Sequence, residues 1–364
     1  MMKLTGKFTH SFKLNKSFKL RKSSKLKKSF KLKQTAQALL LAATALSVLP
    51  ASAATLKISH VRPQGTVIDQ DIKRMGEALK AATDGDVKLR VYAANALGDY
   101  TLVQERISVG AIDMAVQPAS TATDRRMQLG LLPYLATNWA EAQAIYGNGA
   151  PVREAMAKLF AQQDITLLAA YPVYFGGISL NRDAVQPGQP DVSKGIKLRV
   201  PPIKSFQLLA DNVGYIGSPL PFSEAFTAVQ TGVVDGVIGS GAEGYYASFR
   251  DVTKTYIPLN THFEIWYLMI NSERFNDLSD SEQAALKTAA ADFEQRRWQH
   301  AEQDQAANEQ KLAANGAEII QVSPQQLAQT SAKVRSTVWP EILSDIGAEW
   351  SQSILDQALE KTPN

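Results

Sequence analysis

The period of apolar and polar positions changes several times along the chain, and each change marks an element. Leu56-Lys57-Ile58-Ser59 alternates and predicts a strand. From Val67 to Thr83 the apolar residues Ile68, Ile72, Met75 and Leu79 form the stripe of an amphipathic helix, which Asp84-Gly85 ends. Strand Val87–Tyr92, helix Asp99–Val109 and strand Ile112–Val116 follow. The order βαβαβ predicts a largely parallel sheet covered by helices.

Part of this pattern returns later. Lys88-Leu89-Arg90-Val91 reappears as Lys197-Leu198-Arg199-Val200, and the run Val109–Val116 is echoed by Thr231–Ile238, each with Gly after a helix and then a short strand. Two α/β lobes of related design with a cleft between them are therefore expected. Residues 281–314 lack Gly and Pro and are rich in Ala, Glu and Gln, which predicts one long helix stopped by Gly316. A strand Glu318–Val322 and a helical region from Ser323-Pro324, interrupted at Pro340, complete the chain. These last helices are placed to brace both lobes.

The first 53 residues follow a different pattern. Residues 36–49 form an apolar run too short to span a bilayer, which takes about 20 residues in a helix. Pro50 and Ala51-Ser52-Ala53 follow it, and a basic segment precedes it, so 1–53 reads as a signal peptide cut after Ala53. Its Ser-Phe-Lys-Leu repeats (Ser11–Leu14, Ser17–Leu20, Ser29–Leu32) suit a repeat expansion in a tolerant leader. A retained membrane-tethering arm is the other reading.

Charge supports this division. The chain of 364 residues has 39 Lys and Arg against 35 Asp and Glu, but 12 of the basic residues lie in 1–34, which has no acid. Taking 12 from 39 leaves 27 bases against 35 acids, a net of −8 for 54–364. That body is acidic, which argues against a nucleic-acid partner. No cysteine occurs, so an exported body relies on its cores rather than on disulfides.

Catalytic patterns are sparse. His60, His262 and His300 do not form H-E-x-x-H, and G-x-S-x-G and the P-loop are missing. Asp69 and Asp71 resemble a metal pair but suit the first turn of a helix. No metal or other cofactor is expected. Gly239-Ser240-Gly241-Ala242-Glu243-Gly244 matches G-x-G-x-x-G, yet the helix it opens, Tyr245–Val252, is too short for a dinucleotide-binding crossover. Close approach of a ligand or of the opposite lobe is the preferred role. Arg199, at a strand end before Pro201-Pro202, either clasps a carboxylate in the cleft or is structural, as Arg90 is in the echoed position.

The segments Lys194–Pro201, Pro219–Phe226 and Ala228–Gly236, with Ala96–Asp99 and Gly110–Asp113, resemble a known pattern. It is that of the extracytoplasmic solute-binding proteins of tripartite ATP-independent periplasmic (TRAP) transporters, the C4-dicarboxylate-type (DctP) family. The resemblance implies a two-lobed α/β periplasmic binding protein of the Venus-flytrap type, its long C-terminal helices bridging both lobes. One lobe is expected from 54–173 plus 265–305, the other from 174–264 plus 306–364. Arg199 would grip a ligand carboxylate, Phe222 would pack against the ligand, and Tyr100 and His60 would border the cleft. Two departures stand out: Gly239 replaces an Asn that contacts ligand in many relatives, and a second Arg of sialic-acid binders falls near Gly176. Glu243, Tyr246, Phe263 and Trp266, in Glu243–Tyr246 and Phe263–Trp266, would refill that space with aromatic surface and an acid.

The function implied is that of a periplasmic, monomeric binding subunit that captures a small organic acid and delivers it to the integral membrane permease. A ligand sensor for a signalling receptor is the alternative within binding proteins. A secreted enzyme acting on organic acids, with Glu243 and His262 as its acid–base pair, is the alternative outside them.

Overall fold

The computed structural model describes residues 53–362. The repeats and apolar run of the leader lie outside the described residues. The chain begins with β1 (Ala54–His60), α1 (Val67–Ala82), β2 (Val87–Tyr92), α2 (Tyr100–Ser108) and β3 (Met114–Gln117). Strand β1 lies between β2 and β3 and is parallel to both. The stripe Ile68, Ile72, Met75 and Leu79 is buried against Leu56 and Ile58 of β1, each such side chain contributing about 1.5–3 kcal/mol. Asp99 caps α2 by accepting the Thr101 amide at 3.3 Å.

A 3₁₀ segment (Arg125–Leu131), α3 (Trp139–Tyr146) and α4 (Pro151–Ala161) lead to the long strand β4 (Ile165–Phe175). Gly176 alone separates β4 from β5 (Gly177–Leu180). A second βαβαβ unit follows: β6 (Lys197–Val200), α5 (Lys204–Asn212), β7 (Ile216–Pro219), α6 (Phe222–Gln230) and β8 (Gly236–Ser240). After α7 (Ala242–Phe249), β9 (Thr255–Ile257) and β10 (Phe263–Asn271), the chain is mostly helical. It continues through α8 (Ser272–Asn276), α9 (Asp280–Ala314), the short β11 (Glu318–Ile319), α10 (Pro324–Ile346) and α11 (Ala348–Glu360).

The strands form two sheets in the orders β2-β1-β3-β10-β4 and β11-β9-β5-β8-β6-β7. Each has a parallel βαβαβ unit flanked by an antiparallel strand from elsewhere in the chain, β10 beside β3 and β5 beside β8. The chain therefore crosses between sheets at two short connections, β4–β5 and β9–β10, and once more between β10 and β11. The two short crossings are bonded together: Gly176 N–H donates to His262 O at 2.8 Å, and Thr261 N–H donates to Gly176 O at 2.9 Å. A Cβ on Gly176 would lie 2.2 Å from His262 Cε1, so the crossing leaves no room for a side chain there.

The internal echo is real in one part and displaced in the other. Gly110 (φ 71°) and Gly232 (φ 75°) both end a helix in the left-handed conformation. The acids that follow make the same bond, Asp113 Oδ2 accepting Lys57 N at 2.7 Å and Asp235 Oδ2 accepting Lys197 N at 2.9 Å. The basic tetrapeptides, however, are not equivalent. Lys197–Val200 is the central strand β6, whose counterpart is β1, whereas Lys88–Val91 lies on the edge strand β2. Arg90 is exposed there, beside the Tyr92 ring. It therefore says nothing about Arg199.

Helix α9 opens with a capping box of Ser279 and Glu282 and runs for 35 residues. Its early residues Leu286, Ala289, Ala290 and Phe293 join the core of the first sheet, and Leu312 joins a core beneath the second. At its middle, Arg297 Nε donates to Pro172 O at 2.8 Å, and Gln305 Oε1 accepts the Phe175 amide at 2.8 Å. Other boundaries differ from expectation. Helix α7 begins three residues before Tyr245, and strand β11 is only Glu318–Ile319. Pro340 lies inside α10 without ending it. A helix-interior proline costs about 3 kcal/mol. Burial of Val334, Val338 and Ile342, with Trp339 Nε1 donating to Pro133 O at 2.9 Å, offsets it.

Candidate functional site

The C-terminal ends of β1, β3, β6 and β8 converge on a cavity of about 40 Å³, where open α/β sheets bind ligands. From the first sheet come Val61 and Arg62 after β1, Tyr100 at the start of α2 and Pro118 after β3. From the second come Arg199, Pro201, Ile203, Phe206, Phe222 and Gly239. Tyr174, Glu264 and Trp266, on β4 and β10 beside the crossings, form the base.

Arg199 is 1 % exposed, and its one hydrogen bond to the protein is from Nε to Leu220 O at 2.8 Å. Among the described residues no carboxylate lies within ion-pair distance of it. Burial lowers its pKa, with partial relief from Tyr100 and Tyr245. A guanidinium so placed stays charged and leaves its two Nη groups for an anion. Tyr100 is pushed up to about 12, mainly by burial, so its phenol stays neutral.

Arg62 is placed differently. Its Nε donates to Glu243 Oε2 at 2.8 Å and its Nη2 to Tyr174 Oη at 3.3 Å, and its Cζ lies 4.9 Å from the Trp266 ring. Burial opposes its charge, but Glu243 and Tyr174 outweigh burial and raise its pKa. The Phe222 ring lies near both cations, 5.3 Å from Arg62 Cζ and 5.8 Å from Arg199 Cζ. Glu264 accepts from Trp266 Nε1 through one oxygen and pairs with His262 Nε2 at 3.0 Å through the other.

The glycine-rich run serves close approach. A Cβ at Gly244 would sit 2.4 Å from Arg62 Nη2, so the bare backbone of α7 admits this side chain. Gly239 has φ 92° and faces Pro201 so closely that a Cβ would lie 2.6 Å from Pro201 Cγ.

Of the residues expected at the site, Arg199, Phe222, Tyr100, Gly239 and Trp266 line the cavity, and Glu243 reaches it through Arg62. His60, Phe263 and Tyr246 do not line it. His60 is fully buried behind the wall with Nε2 3.2 Å from Asp69 Oδ1, because strand alternation turns it away. Phe263 points to the opposite face of β10 from Glu264, into a cluster with Trp139, Tyr146 and Trp298. Tyr246 is half-exposed beside Arg250 and Lys311. Arg62, Tyr174 and Glu264 were not anticipated as site residues. Arg62 lies two residues beyond the end of β1, at a sheet edge where ligands gather, which is the signal that was available. Asp69 accepts from Gly65 N and Lys73 Nζ, both at 2.7 Å, and Asp71 accepts from Tyr171 Oη at 2.9 Å, so each carboxylate has its own partners.

Two sheets, paired crossings, a spanning helix and a cleft holding an unpaired guanidinium define a two-lobed binding protein. Residues 58–344 match the model of the DctP family, bacterial extracellular solute-binding protein family 7, and the chain belongs to that family. It is therefore a solute-binding protein of a periplasmic transport family. A solute-binding protein of Roseobacter denitrificans is 27% identical over 261 residues, covering 69% of this chain and 78% of that one. The sialic acid-binding periplasmic protein SiaP of Vibrio cholerae is 24% identical over 242 residues, covering 65% and 74%. Among solved structures, DctP7 of Bordetella pertussis, which binds pyroglutamic acid, superposes with a TM-score of 0.75 at 22% identity over 84% of this chain and 99% of that one. The galactonate complex of DctPAm from Advenella mimigardefordensis gives 0.78 at 19% identity over 85% and 98%. Among the described residues no helix is long and apolar enough to cross a membrane.

Proposed function

We propose that this chain is the extracytoplasmic receptor of a TRAP transporter, exported by cleavage after Ala53. It captures a small organic acid in the cleft and hands it to the membrane permease as a monomer, without making or breaking covalent bonds. One lobe is assigned to 54–173 plus 265–305 and the other to 174–264 plus 306–364. The observation that carries this reading is Arg199, a buried cation that lines the cavity and whose side chain has, among the described residues, one backbone hydrogen-bond partner and no carboxylate partner. A carboxylate supplies the missing acceptor through two parallel hydrogen bonds. Phe222, Tyr100 and Trp266 close on the ligand's body. Closure of the lobes excludes water and strengthens the charged pair, and contacts from both lobes favour the closed state. Relatives whose structures hold pyroglutamic acid and galactonate, both acids, support the same ligand class.

Mass spectrometry of ligand released from the purified mature protein, followed by calorimetry with that compound, tests the reading. Arg199→Ala is expected to weaken binding by about 2 kcal/mol or more, because a desolvated carboxylate loses its partner. Unchanged affinity would remove Arg199 from the site. Transport of the identified acid, lost on deletion of this protein, tests the handover.

A further inference from the structure

The charges around the cavity are unequal in what they leave over. The charge of Arg62 is already balanced: Glu243 pairs with Nε at 2.8 Å, Tyr174 accepts from Nη2, and Trp266 lies against the guanidinium. Arg199 has no carboxylate partner among the described residues. Glu264 faces the same cavity at 5 % exposure. It takes one bond on each oxygen, from Trp266 and with His262. A carboxylate has about four acceptor sites, so about two remain, and an ionised carboxylate can only accept. The cavity thus offers one uncompensated cation for an anionic group and one acceptor for a hydrogen-bond donor.

Resting on the reading of Arg199 as the carboxylate clasp, we propose that the site selects compact monocarboxylates that also carry an N–H or O–H donor, and that it rejects dicarboxylates. A second carboxylate on the ligand would meet Glu264 in a water-poor cavity, where like charges repel strongly. Arg62 keeps its Nη1 donors, but Glu243 already balances its charge, so it offers a second carboxylate no net attraction to offset that repulsion. A donor satisfies Glu264 instead. The specificity therefore includes a repulsive element as well as an attractive one. The Gly244 backbone sustains this arrangement, since any side chain there would displace Arg62 from its pair.

The test is calorimetry on the mature, ligand-free protein with three acids of similar size. Pyroglutamate has one carboxylate and an N–H donor, cyclopentanecarboxylate has one carboxylate and no donor, and glutarate has two carboxylates. Further hydroxy-monocarboxylates paired with dicarboxylates of equal carbon number guard against a mismatch of shape. Donor-bearing monocarboxylates are expected to bind about 10-fold or more tighter than both other classes. Glu264→Gln is expected to narrow the gap between monocarboxylates with and without a donor. Glu243→Gln is expected to free Arg62 and raise glutarate affinity about 10-fold, with circular dichroism checking that the variant is folded. Dicarboxylates that bind the native protein as tightly as donor-bearing monocarboxylates, in an Arg199-dependent way, overturn this selectivity and leave the carboxylate clasp standing. Equal binding of acids with and without a donor overturns the role of Glu264. Failure of every acid to bind overturns the clasp itself, and this inference with it.

Discussion

Replacing Arg62 alone leaves Glu243 without its partner. The two side chains are 2% and 10% exposed and meet at 2.8 Å, so neither charge recovers full hydration when the other is removed. Breaking a buried pair from one side costs about 3–5 kcal/mol, whereas replacing both partners by apolar groups is often close to neutral. Arg62 also lies 4.9 Å from Trp266 and 5.3 Å from Phe222, contacts that add about 0.5–1 kcal/mol. Arg62→Leu is therefore expected to lose about 4 kcal/mol and Glu243→Leu about 3 kcal/mol. The double variant should lose about 2–3 kcal/mol less than their sum. Urea denaturation of the four proteins, followed by tryptophan fluorescence and circular dichroism, measures the coupling. Losses that add to within about 0.5 kcal/mol would refute a coupled pair.

Three further outcomes are expected. Gly239→Asn is expected to lose about 1–3 kcal/mol without gaining affinity, since φ is 92° and Pro201 occupies the space; thermal melts and calorimetry check both. Glu294→Gln is expected to lose about 2 kcal/mol in urea, because Glu294 pairs with buried Arg153 and accepts the Ala170 amide at 3.0 Å. Burial depresses His60 below its ordinary pKa of 6.5 despite Asp69, and its Nδ1 has no acceptor for a second proton. The unfolded chain then binds the proton first, so this part of the stability is complete above pH 6.5 and falls as pH drops toward the folded pKa, by at most about 1.4 kcal/mol per unit. His60→Gln should flatten that slope in melts recorded between neutral and mildly acidic pH.

Much of the architecture was legible because local pattern decides it. The stripe of α1 and the Gly-free run of α9 each define an element within one stretch of chain. The exchange of strands at β4–β5 and β9–β10 was not legible in local pattern, since it joins residues distant in sequence; only the family resemblance implied lobes that divide near 173 and 264. The tetrapeptide echo misled for the same reason: four matching residues carry no information on whether a strand is central or at an edge. At the site, Arg199 was marked by its strand end and the prolines after it. Arg62 carried a similar sign, two residues past the end of β1 and just before Pro63, but the partner that defines its role lies 181 residues away. His60 and Phe263 show the limit of proximity in sequence: each neighbours a cavity residue, and strand alternation turns each away.

Helix α9 has a mechanical consequence. At about 1.5 Å per residue its 35 residues extend about 50 Å, and its two ends join different cores. Arg297 and Gln305 clamp its middle to β4 just ahead of the crossing. Any rotation of one sheet against the other must therefore flex this helix near the clamp or slide one of its ends. Bending stiffness stored in a hydrogen-bonded backbone would then resist any such rotation, in addition to contacts at the cleft mouth.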